Sequence, residues 1–337
     1  MDRIRIALIG YGNVGQAFHR MLERKEGDII REFGVEPIVT AICTGRRGGV
    51  IDAEGMRYDD VNDGIFSKEL NAMDIIRSGE YDIMVELTPI NIMTGQPATD
   101  HIRCALDLGK HVITANKGPV AWHYRELRDL ARDKGVQFRH EATVMDGAPV
   151  YNLAQETLMG CKIIEVKGIL NATTNFVLTE MEKGISYEDA IEEGRRQGFV
   201  EADASMDLDG WDASAKLTAL MNVLMDVEIT PLDIRRTGIG GVTKEDIDKA
   251  AAQGKKIKLL CHGWLDENGQ PIGVVEPTLV EGNDLAAIMD ATMSYVTVNT
   301  DLTGEMTMIE HAFEPEIDHT AYGVLSDLLR ILTELTR

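Results

Sequence analysis

Five carboxylates and one lysine lie within sixteen residues, between Glu201 and Lys216. The acids are Glu201, Asp203, Asp207, Asp209 and Asp212. A helical apolar pattern begins inside this segment, so Asp212 and Lys216, four residues apart, share a helix face. Carboxylates can hold an ammonium group, and an ammonium can hold or protonate an oxygen. The segment could therefore bind a charged amino acid, although a solvated acidic loop with an exposed ion pair is the favoured explanation when the segment stands alone.

A glycine-rich turn supplies a second candidate site. It follows the apolar run 4–9, precedes a helical pattern, and consists of Gly10, Tyr11, Gly12, Asn13, Val14 and Gly15. The order of strand, GxGxxG and helix predicts a dinucleotide site. Gly10 permits the tight turn, Gly12 lets the backbone approach a pyrophosphate, and Gly15 lets the helix pack close to the strand. The helix N-terminus at Asn13 and Val14 offers backbone N–H groups to the phosphates.

Two arginines follow the second predicted strand, Pro37–Cys43. An NAD-binding fold places an acidic residue at this strand end for the ribose 2′-hydroxyl, and this chain has Arg46 and Arg47 in its place. Guanidinium groups suit a 2′-phosphate. The pattern favours NADP over NAD, with a basic surface turn as the alternative.

Strands and helices alternate through the first 147 residues. Further strands are predicted at Asp82–Leu87, Lys110–Thr114 and Val136–Arg139, and helices at Ala98–Leu108 and Tyr124–Lys134. This alternation predicts an α/β fold with a Rossmann-type, doubly wound parallel sheet. Ligands of such sheets bind at the carboxyl ends of the strands. Thr88 and Lys117 stand at those ends, which makes them candidates for the cofactor cleft.

The second half alternates less regularly and predicts an α+β domain over 148–309. Its helices are predicted at Tyr187–Gly198 and Asp212–Asp226. A final apolar helix, His319–Leu335, lies within 310–337 and is expected to return to the first domain, 1–147.

Composition excludes several classes of protein. The 337 residues suffice for two domains, and a net charge of −22 argues against a nucleic-acid-binding surface. No apolar stretch approaches the roughly 20 residues of a membrane span, and no signal peptide is evident. The four cysteines form no CxxC pair, which is typical of reduced thiols in a cytoplasmic protein.

Five segments, in order, make the chain similar to homoserine dehydrogenases, particularly the short monofunctional archaeal ones. They are GYGNVG at 10–15, TANKGPVA at 114–121, HEATVMDGAP at 140–149, NATTNFVL at 171–178 and the acidic segment at 201–216. The resemblance implies reversible, NAD(P)H-dependent reduction of aspartate β-semialdehyde to homoserine, a step of threonine and methionine biosynthesis. It also implies a homodimer in which 148–309 binds substrate and forms the dimer.

The resemblance assigns roles to individual residues. Lys117 and Lys216 match the family's two active-site lysines, which would stabilise or protonate the developing alkoxide. The substrate side comprises Glu201, Asp207 and Asp212, with Ala172 and Thr173 in a substrate loop. A monovalent cation, sodium, is implied at Glu141 and at the backbone carbonyls of Val144, Asp146 and Ala148. A structural hydrogen bond made by Glu141 fits that segment equally well.

Two departures from the family pattern leave other functions open. Ala204 stands where the family usually has proline, and residues 308–320 contain no glycine where the family usually has a glycine-rich loop near the nicotinamide. Side chains there cannot follow a glycine backbone path. One alternative is a paralogue that binds NADP(H) without catalysis. The other is a dehydrogenase of another small amino acid or semialdehyde.

Overall fold

The computed structural model describes residues 2–198, 200–201, 203–311 and 317–336. These residues form two compact units. Unit 1 comprises the described residues of 1–149 and 313–337, and unit 2 those of 150–312. Within the described part of the chain, no helix is long and apolar enough to cross a membrane.

Unit 1 is built on a six-stranded sheet in the order β3-β2-β1-β4-β5-β6. The strands are β1 (Asp2–Ile9), β2 (Val35–Thr44), β3 (Gly48–Met56), β4 (Ile83–Glu86), β5 (His111–Thr114) and β6 (Phe138–Arg139). All neighbours pair in parallel except β2 and β3, which are antiparallel. The predicted doubly wound sheet is confirmed, but its edge strand β3 was not predicted. Antiparallel neighbours need only a short turn, and the glycine-rich stretch after Thr44 supplies one.

Helices cover both faces of this sheet. They are α1 (Asn13–Phe33), α2 (Ala72–Ser78), α3 (Ala98–Asp107), α4 (Lys117–Lys134) and the last helix, Ile317–Leu335. Alternation along β1 sends Ile6 and Leu8 into a core with α1 and the last helix, and Ala7 and Ile9 into a core with α2, α3 and α4. The expectation that the C-terminal helix returns to the first domain is therefore confirmed.

Helix α4 begins seven residues before its predicted start at Tyr124. Asn116 caps it by accepting a hydrogen bond from the Gly118 backbone N–H, and a non-helical residue, His123, kinks it. Gly118 and Pro119 are weak helix formers, so the sequence pattern does not indicate this first turn. Proline is tolerated there because the first N–H groups of a helix lack intrahelical partners. Lys117 is thus a helix-start residue rather than a loop residue.

Unit 2 contains a second six-stranded sheet, in the order β12-β11-β7-β9-β10-β8. Its strands are β7 (Ile163–Ile169), β8 (Arg235–Arg236), β9 (Lys255–Leu265), β10 (Pro271–Glu281), β11 (Ser294–Thr300) and β12 (Gly304–Glu310). Its helices are α5 (Val150–Asn152), α6 (Ala172–Glu182), α7 (Tyr187–Gln197), α8 (Ser205–Leu208), α9 (Trp211–Leu224), α10 (Lys244–Ala252) and α11 (Leu285–Ile288). Helix α6 was not predicted, and it contains the residues expected to form a substrate loop.

Candidate active site

The glycine turn has the geometry that a nucleotide phosphate needs. Gly10 has a φ of +103°, and a Cβ there would overlap the backbone of Leu87. A Cβ at Gly15 would lie 2.7 Å from the Gly10 carbonyl oxygen, so only glycine lets α1 approach the turn. A Cβ at Gly12 would meet nothing within 4 Å, so space for a ligand lies beside that backbone. Asn13 and Val14 begin α1 at the same place.

The two arginines after β2 differ in their surroundings. Arg46 is exposed, whereas Arg47 is half-buried. The Arg47 guanidinium lies 4.3 Å from the Phe66 ring centre and 5.9 Å from that of Tyr11, and it pairs with the exposed Asp63 at 3.2 Å. The Arg47 backbone N–H donates to Thr44 Oγ1 at 2.8 Å. The structure therefore places one arginine, not two, in a fixed position beside the glycine turn.

A buried acid organises the neighbouring strand ends. Glu86, the last residue of β4, is fully buried and accepts hydrogen bonds from the Thr88 backbone N–H and hydroxyl. The Thr114 hydroxyl donates to the Glu86 backbone carbonyl at 3.1 Å. Asn116 Nδ2 donates to the Thr88 carbonyl at 3.2 Å, which links this network to the start of α4. Thr88 and the half-buried Lys117 thus stand at one edge of the sheet, as their strand-end positions indicate.

In unit 2, Asn171 brings together two acids of the segment 201–216. Its Nδ2 donates to Asp207 Oδ1 at 2.8 Å and to Asp212 Oδ2 at 3.0 Å. Its Oδ1 accepts from the Thr174 backbone N–H at 2.8 Å, so the same side chain caps α6. One amide therefore fixes two carboxylates relative to a helix N-terminus.

Lys216 completes this group, which we call the Asn171 cluster: Asn171, Asp207, Asp212 and Lys216. Lys216 Nζ donates to the Leu170 carbonyl at 3.0 Å and lies 3.8 Å from Asp212 Oδ2. The Lys216 and Asp212 side chains are only 19% and 11% exposed. The exposed ion pair expected from the segment alone is thus wrong, because α9 turns this face inward.

Three other predicted substrate residues have different settings. Ala172 and Thr173 form the first turn of α6, directly after Asn171, and Thr173 is buried. They belong to a helix start rather than to a loop, because the Asn171 side chain caps α6 immediately before them. Glu201 is exposed, unlike the carboxylates of the Asn171 cluster.

The segment expected to hold sodium lies under the last helix. Glu141 is 2% exposed, and its backbone N–H donates to Asp327 Oδ2 at 2.8 Å. Burial, together with the nearby Glu141, holds the pKa of Asp327 well above its usual range. The Asp146 side chain accepts from the Thr320 hydroxyl at 2.8 Å, and its carbonyl oxygen faces Gly323. Val144 is buried and Ala148 half-buried.

Comparison with known proteins decides the family. The family model for the homoserine dehydrogenase NAD-binding domain matches residues 10–141, and the homoserine dehydrogenase model matches residues 149–329. The chain belongs to the homoserine dehydrogenase family.

Individual relatives extend over nearly the whole chain. Homoserine dehydrogenase from Methanocaldococcus jannaschii is 36% identical, covering 97% of this chain and 98% of the relative. The NAD(+)-dependent homoserine dehydrogenase from Pseudomonas canavaninivorans is 32% identical, covering 100% and 98%.

Solved structures give the same result. Homoserine dehydrogenase from Thiobacillus denitrificans, 32% identical, superposes with a TM-score of 0.85 over 98% of this chain and 74% of that one. A hyperthermophilic archaeal homoserine dehydrogenase in complex with NADPH, 25% identical, gives 0.81 over 98% of both chains. The resemblance to homoserine dehydrogenases noted in the sequence, archaeal ones included, is thereby confirmed.

Two residues of the candidate site, Glu86 and Asn171, were not predicted from the sequence. Glu86 ends an apolar strand, and an acid in that place could have suggested a buried partner. Asn171 precedes a helical stretch and fits an N-cap, which could have located α6. The glycine-poor segment 308–320 lies in β12 up to Glu310 and in the last helix from Ile317, and its residues 312–316 lie outside the described part.

Proposed function

We propose that this chain reduces aspartate β-semialdehyde to homoserine, reversibly, with NADPH preferred over NADH. The Asn171 cluster carries the proposal, because it joins two carboxylates to a half-buried lysine and a helix start in one unit. An amino-acid substrate with an aldehyde requires groups of these charges: acids for its α-ammonium and a cation for its oxygen.

The residues of unit 1 fit a dinucleotide. The open space beside Gly12 and the N-terminus of α1 suit the pyrophosphate, and Arg47 suits a 2′-phosphate. The exposed Arg46 is the second basic group at that end. Thr88 and Lys117, at the strand ends, lie on the edge where such sheets bind ligands. The bound cofactor supplies the hydride.

The residues of unit 2 handle the amino acid. Asp207 and Asp212 hold the α-ammonium, with Glu201 adding negative charge from the loop before α8. The first turn of α6 at Ala172 and Thr173 presents backbone N–H groups to the substrate carboxylate. Lys216, oriented by the Leu170 carbonyl and by Asp212, donates a proton to the aldehyde oxygen as negative charge develops there. By the family resemblance, Lys117 of unit 1 is the second active-site lysine, and its positive charge suits a developing alkoxide.

We also propose a sodium ion at Glu141, with backbone carbonyls of Val144, Asp146 and Ala148. Oxygen donors of this kind suit hard cations. The described residues contain no group of three or more His, Cys, Asp or Glu side chains suited to a metal. If sodium binds at Glu141, activity and thermal stability should respond to NaCl and not to choline chloride at equal ionic strength. An equal response to both salts would remove the sodium site.

We further propose that the protein is a cytoplasmic homodimer that acts on a small molecule and binds neither nucleic acid nor a membrane. Light scattering after size-exclusion chromatography tests the dimer, because a monomer of 37.2 kDa and a dimer differ twofold in mass. A concentration-independent monomer would contradict it.

Turnover of aspartate β-semialdehyde tests the reaction. Loss of NADPH absorbance is expected for the wild type, and Lys216→Met should lower kcat/KM by about 10²- to 10⁴-fold, the usual contribution of a general acid. Lys244→Met is the matched control, since Lys244 is an exposed lysine of unit 2 paired with Asp248. Tight NADPH binding without turnover would favour a non-catalytic paralogue. Turnover of a different semialdehyde in a substrate panel would favour altered specificity.

A further inference from the structure

A buried histidine lies next to the glycine turn, and no role in the proposed reaction uses it. His19, on α1, is 1% exposed. Its Nε2 lies 3.0 Å from the Met56 carbonyl oxygen and its Nδ1 lies 2.8 Å from the Tyr11 hydroxyl. A carbonyl can only accept, so Nε2 carries the ring proton and Nδ1 accepts from Tyr11. His19 thereby connects the glycine turn to the end of β3.

The charge states of His19 and Tyr11 suit a hydrogen bond from the Tyr11 hydroxyl to His19 Nδ1. Burial lowers the pKa of His19, against an opposing effect of Glu23, whose Oε1 lies 3.7 Å from Nε2. Burial also raises the pKa of the Tyr11 phenol. Near neutral pH the imidazole is therefore an acceptor and the phenol a donor. Tyr11, between Gly10 and Gly12, cannot rotate without breaking this hydrogen bond.

Tyr11 is in turn one of two aromatic residues that contact the Arg47 guanidinium. The guanidinium lies 5.9 Å from the Tyr11 ring centre and 4.3 Å from the Phe66 ring centre. The Phe66 side chain packs, partly buried, against the core, and its neighbour Ser67 exchanges two backbone hydrogen bonds with Gly49, at 2.9 and 2.8 Å. Both aromatic rings are thus anchored independently of the arginine that they contact.

We propose that His19 is a positioning residue for NADPH: it holds Tyr11, and the Tyr11 and Phe66 rings aim Arg47 at the 2′-phosphate. This inference rests on the proposed function for its cofactor. It adds His19 and Phe66, which neither the GxGxxG motif nor the arginine pair identifies, to the residues that set nucleotide preference. A guanidinium restrained by two rings loses less conformational entropy when it binds a phosphate.

Nucleotide titrations test the proposal without relying on turnover. The dissociation constants of NADPH and NADH are measured by fluorescence titration, and those of adenosine 2′,5′-bisphosphate and ADP by calorimetry. Tyr11→Phe should weaken NADPH and the 2′,5′-bisphosphate by roughly fivefold, the factor carried by one hydrogen bond of ordinary net strength. NADH and ADP should bind as they do to the wild type.

Variants at His19 separate positioning from general damage. His19→Leu should match Tyr11→Phe, and the double variant should be no worse than either, because the two residues share one interaction. His19→Asn should restore NADPH binding, since its Oδ1 can accept from Tyr11. The control is His111→Leu, a half-buried histidine at the start of β5 whose Nδ1 accepts from the Gln137 backbone N–H.

The outcomes discriminate clearly. Equal losses for NADPH and NADH, or no loss in Tyr11→Phe, would overturn the positioning role. If His19→Leu fails to fold, Tyr11→Phe decides the question, because it removes only the hydroxyl group and keeps the ring. Normal NADPH titrations without turnover of aspartate β-semialdehyde would reject the proposed function and leave the positioning role to be decided by the titrations.

Discussion

Replacing Lys258 by methionine should destabilise unit 2 strongly. Lys258, on β9, is 0% exposed, and its Nζ donates to Asn175 Oδ1 at 3.2 Å, to Thr179 Oγ1 at 3.3 Å and to the Met289 carbonyl at 2.9 Å. Glu182 Oε1 lies 3.4 Å away. Burial lowers the pKa of Lys258 and Glu182 opposes that shift. One ammonium therefore satisfies several buried acceptors.

The size of the effect follows from what the methionine leaves behind. Removing one partner of a buried, hydrogen-bonded charge pair costs about 3–5 kcal/mol, mainly because the remaining groups stay desolvated. Unfolding entropies typical of 150–250 residues convert that loss to a fall in Tm of roughly 6–20 °C. Calorimetry and urea unfolding measure it.

The neighbouring Lys256 provides a matched control. It stands two residues earlier on the same strand, contacts the same Glu182 at 2.9 Å and also contacts Asp290 at 3.3 Å, but it is 32% exposed. Lys256→Met should cost no more than about 1 kcal/mol, as for other partly solvated pairs. Equal losses for the two variants would refute the reasoning from burial.

A functional consequence accompanies the loss of stability. Asn175, Thr179 and Glu182 lie along one face of α6, so Lys258 holds the helix whose cap is Asn171. The folded fraction of Lys258→Met should show a raised KM for aspartate β-semialdehyde. Adding Glu182→Leu should recover part of the stability, because the buried Glu182 Oε1 loses the cation that faces it in Lys258→Met, although Lys256 still contacts Oε2. No recovery would show that Glu182 does not interact with Lys258 in the way described.

Three further predictions concern other parts of the chain. Gly10→Ala should lower Tm, because the added Cβ overlaps Leu87 at a φ of +103°. Gly12→Ala should leave Tm unchanged and weaken NADPH binding, as measured by titration. A larger fall in Tm for Gly12→Ala than for Gly10→Ala would contradict this expectation. Burial raises the pKa of Cys261 to about 12, so in native thiol titrations it should stay unreactive, as should the buried Cys43, while Cys104 and Cys161 react. Burial lowers the pKa of His140 to about 3. Between about pH 6.5 and 3, the His140 side chain is therefore protonated in the unfolded chain and neutral in the folded one. Stability should therefore fall by up to about 1.4 kcal/mol per pH unit from 6.5 toward 3, and urea unfolding of His140→Phe should show a shallower fall.

Local patterns explain why some of this structure was predictable. The GxGxxG turn and the strand ends were predicted correctly, because the requirement for glycine in a tight turn and the order of strand, turn and helix are set by a few adjacent residues. Strand β3 was missed because its signal is an antiparallel turn rather than the alternation seen elsewhere. The first turn of α4 was missed because Gly118 and Pro119 are weak helix formers that a helix start tolerates.

Residues that act through distant contacts were harder to predict. Asn171 becomes informative only when folding brings Asp207 and Asp212 to its amide, 36 and 41 positions along the chain. Lys258 and His19 are ordinary polar residues in the sequence, and their roles follow from burial. Sequence patterns thus indicated the charged groups of the candidate site, and tertiary contacts identified the residues that position them.

The hairpin of β2 and β3 bears on how this protein can evolve. Arg47 lies in its turn, and β3 is the sheet edge, bordered by a single neighbouring strand with Asp52, Ala53 and Glu54 exposed. The glycine turn follows β1, and the Gly10 N–H donates to the Cys43 carbonyl of β2 at 2.9 Å, outside the hairpin turn. Substitutions in the hairpin turn therefore leave this backbone hydrogen bond in place. Under the role proposed for Arg47, nucleotide preference can change through substitutions in this turn while the strands of the sheet are retained.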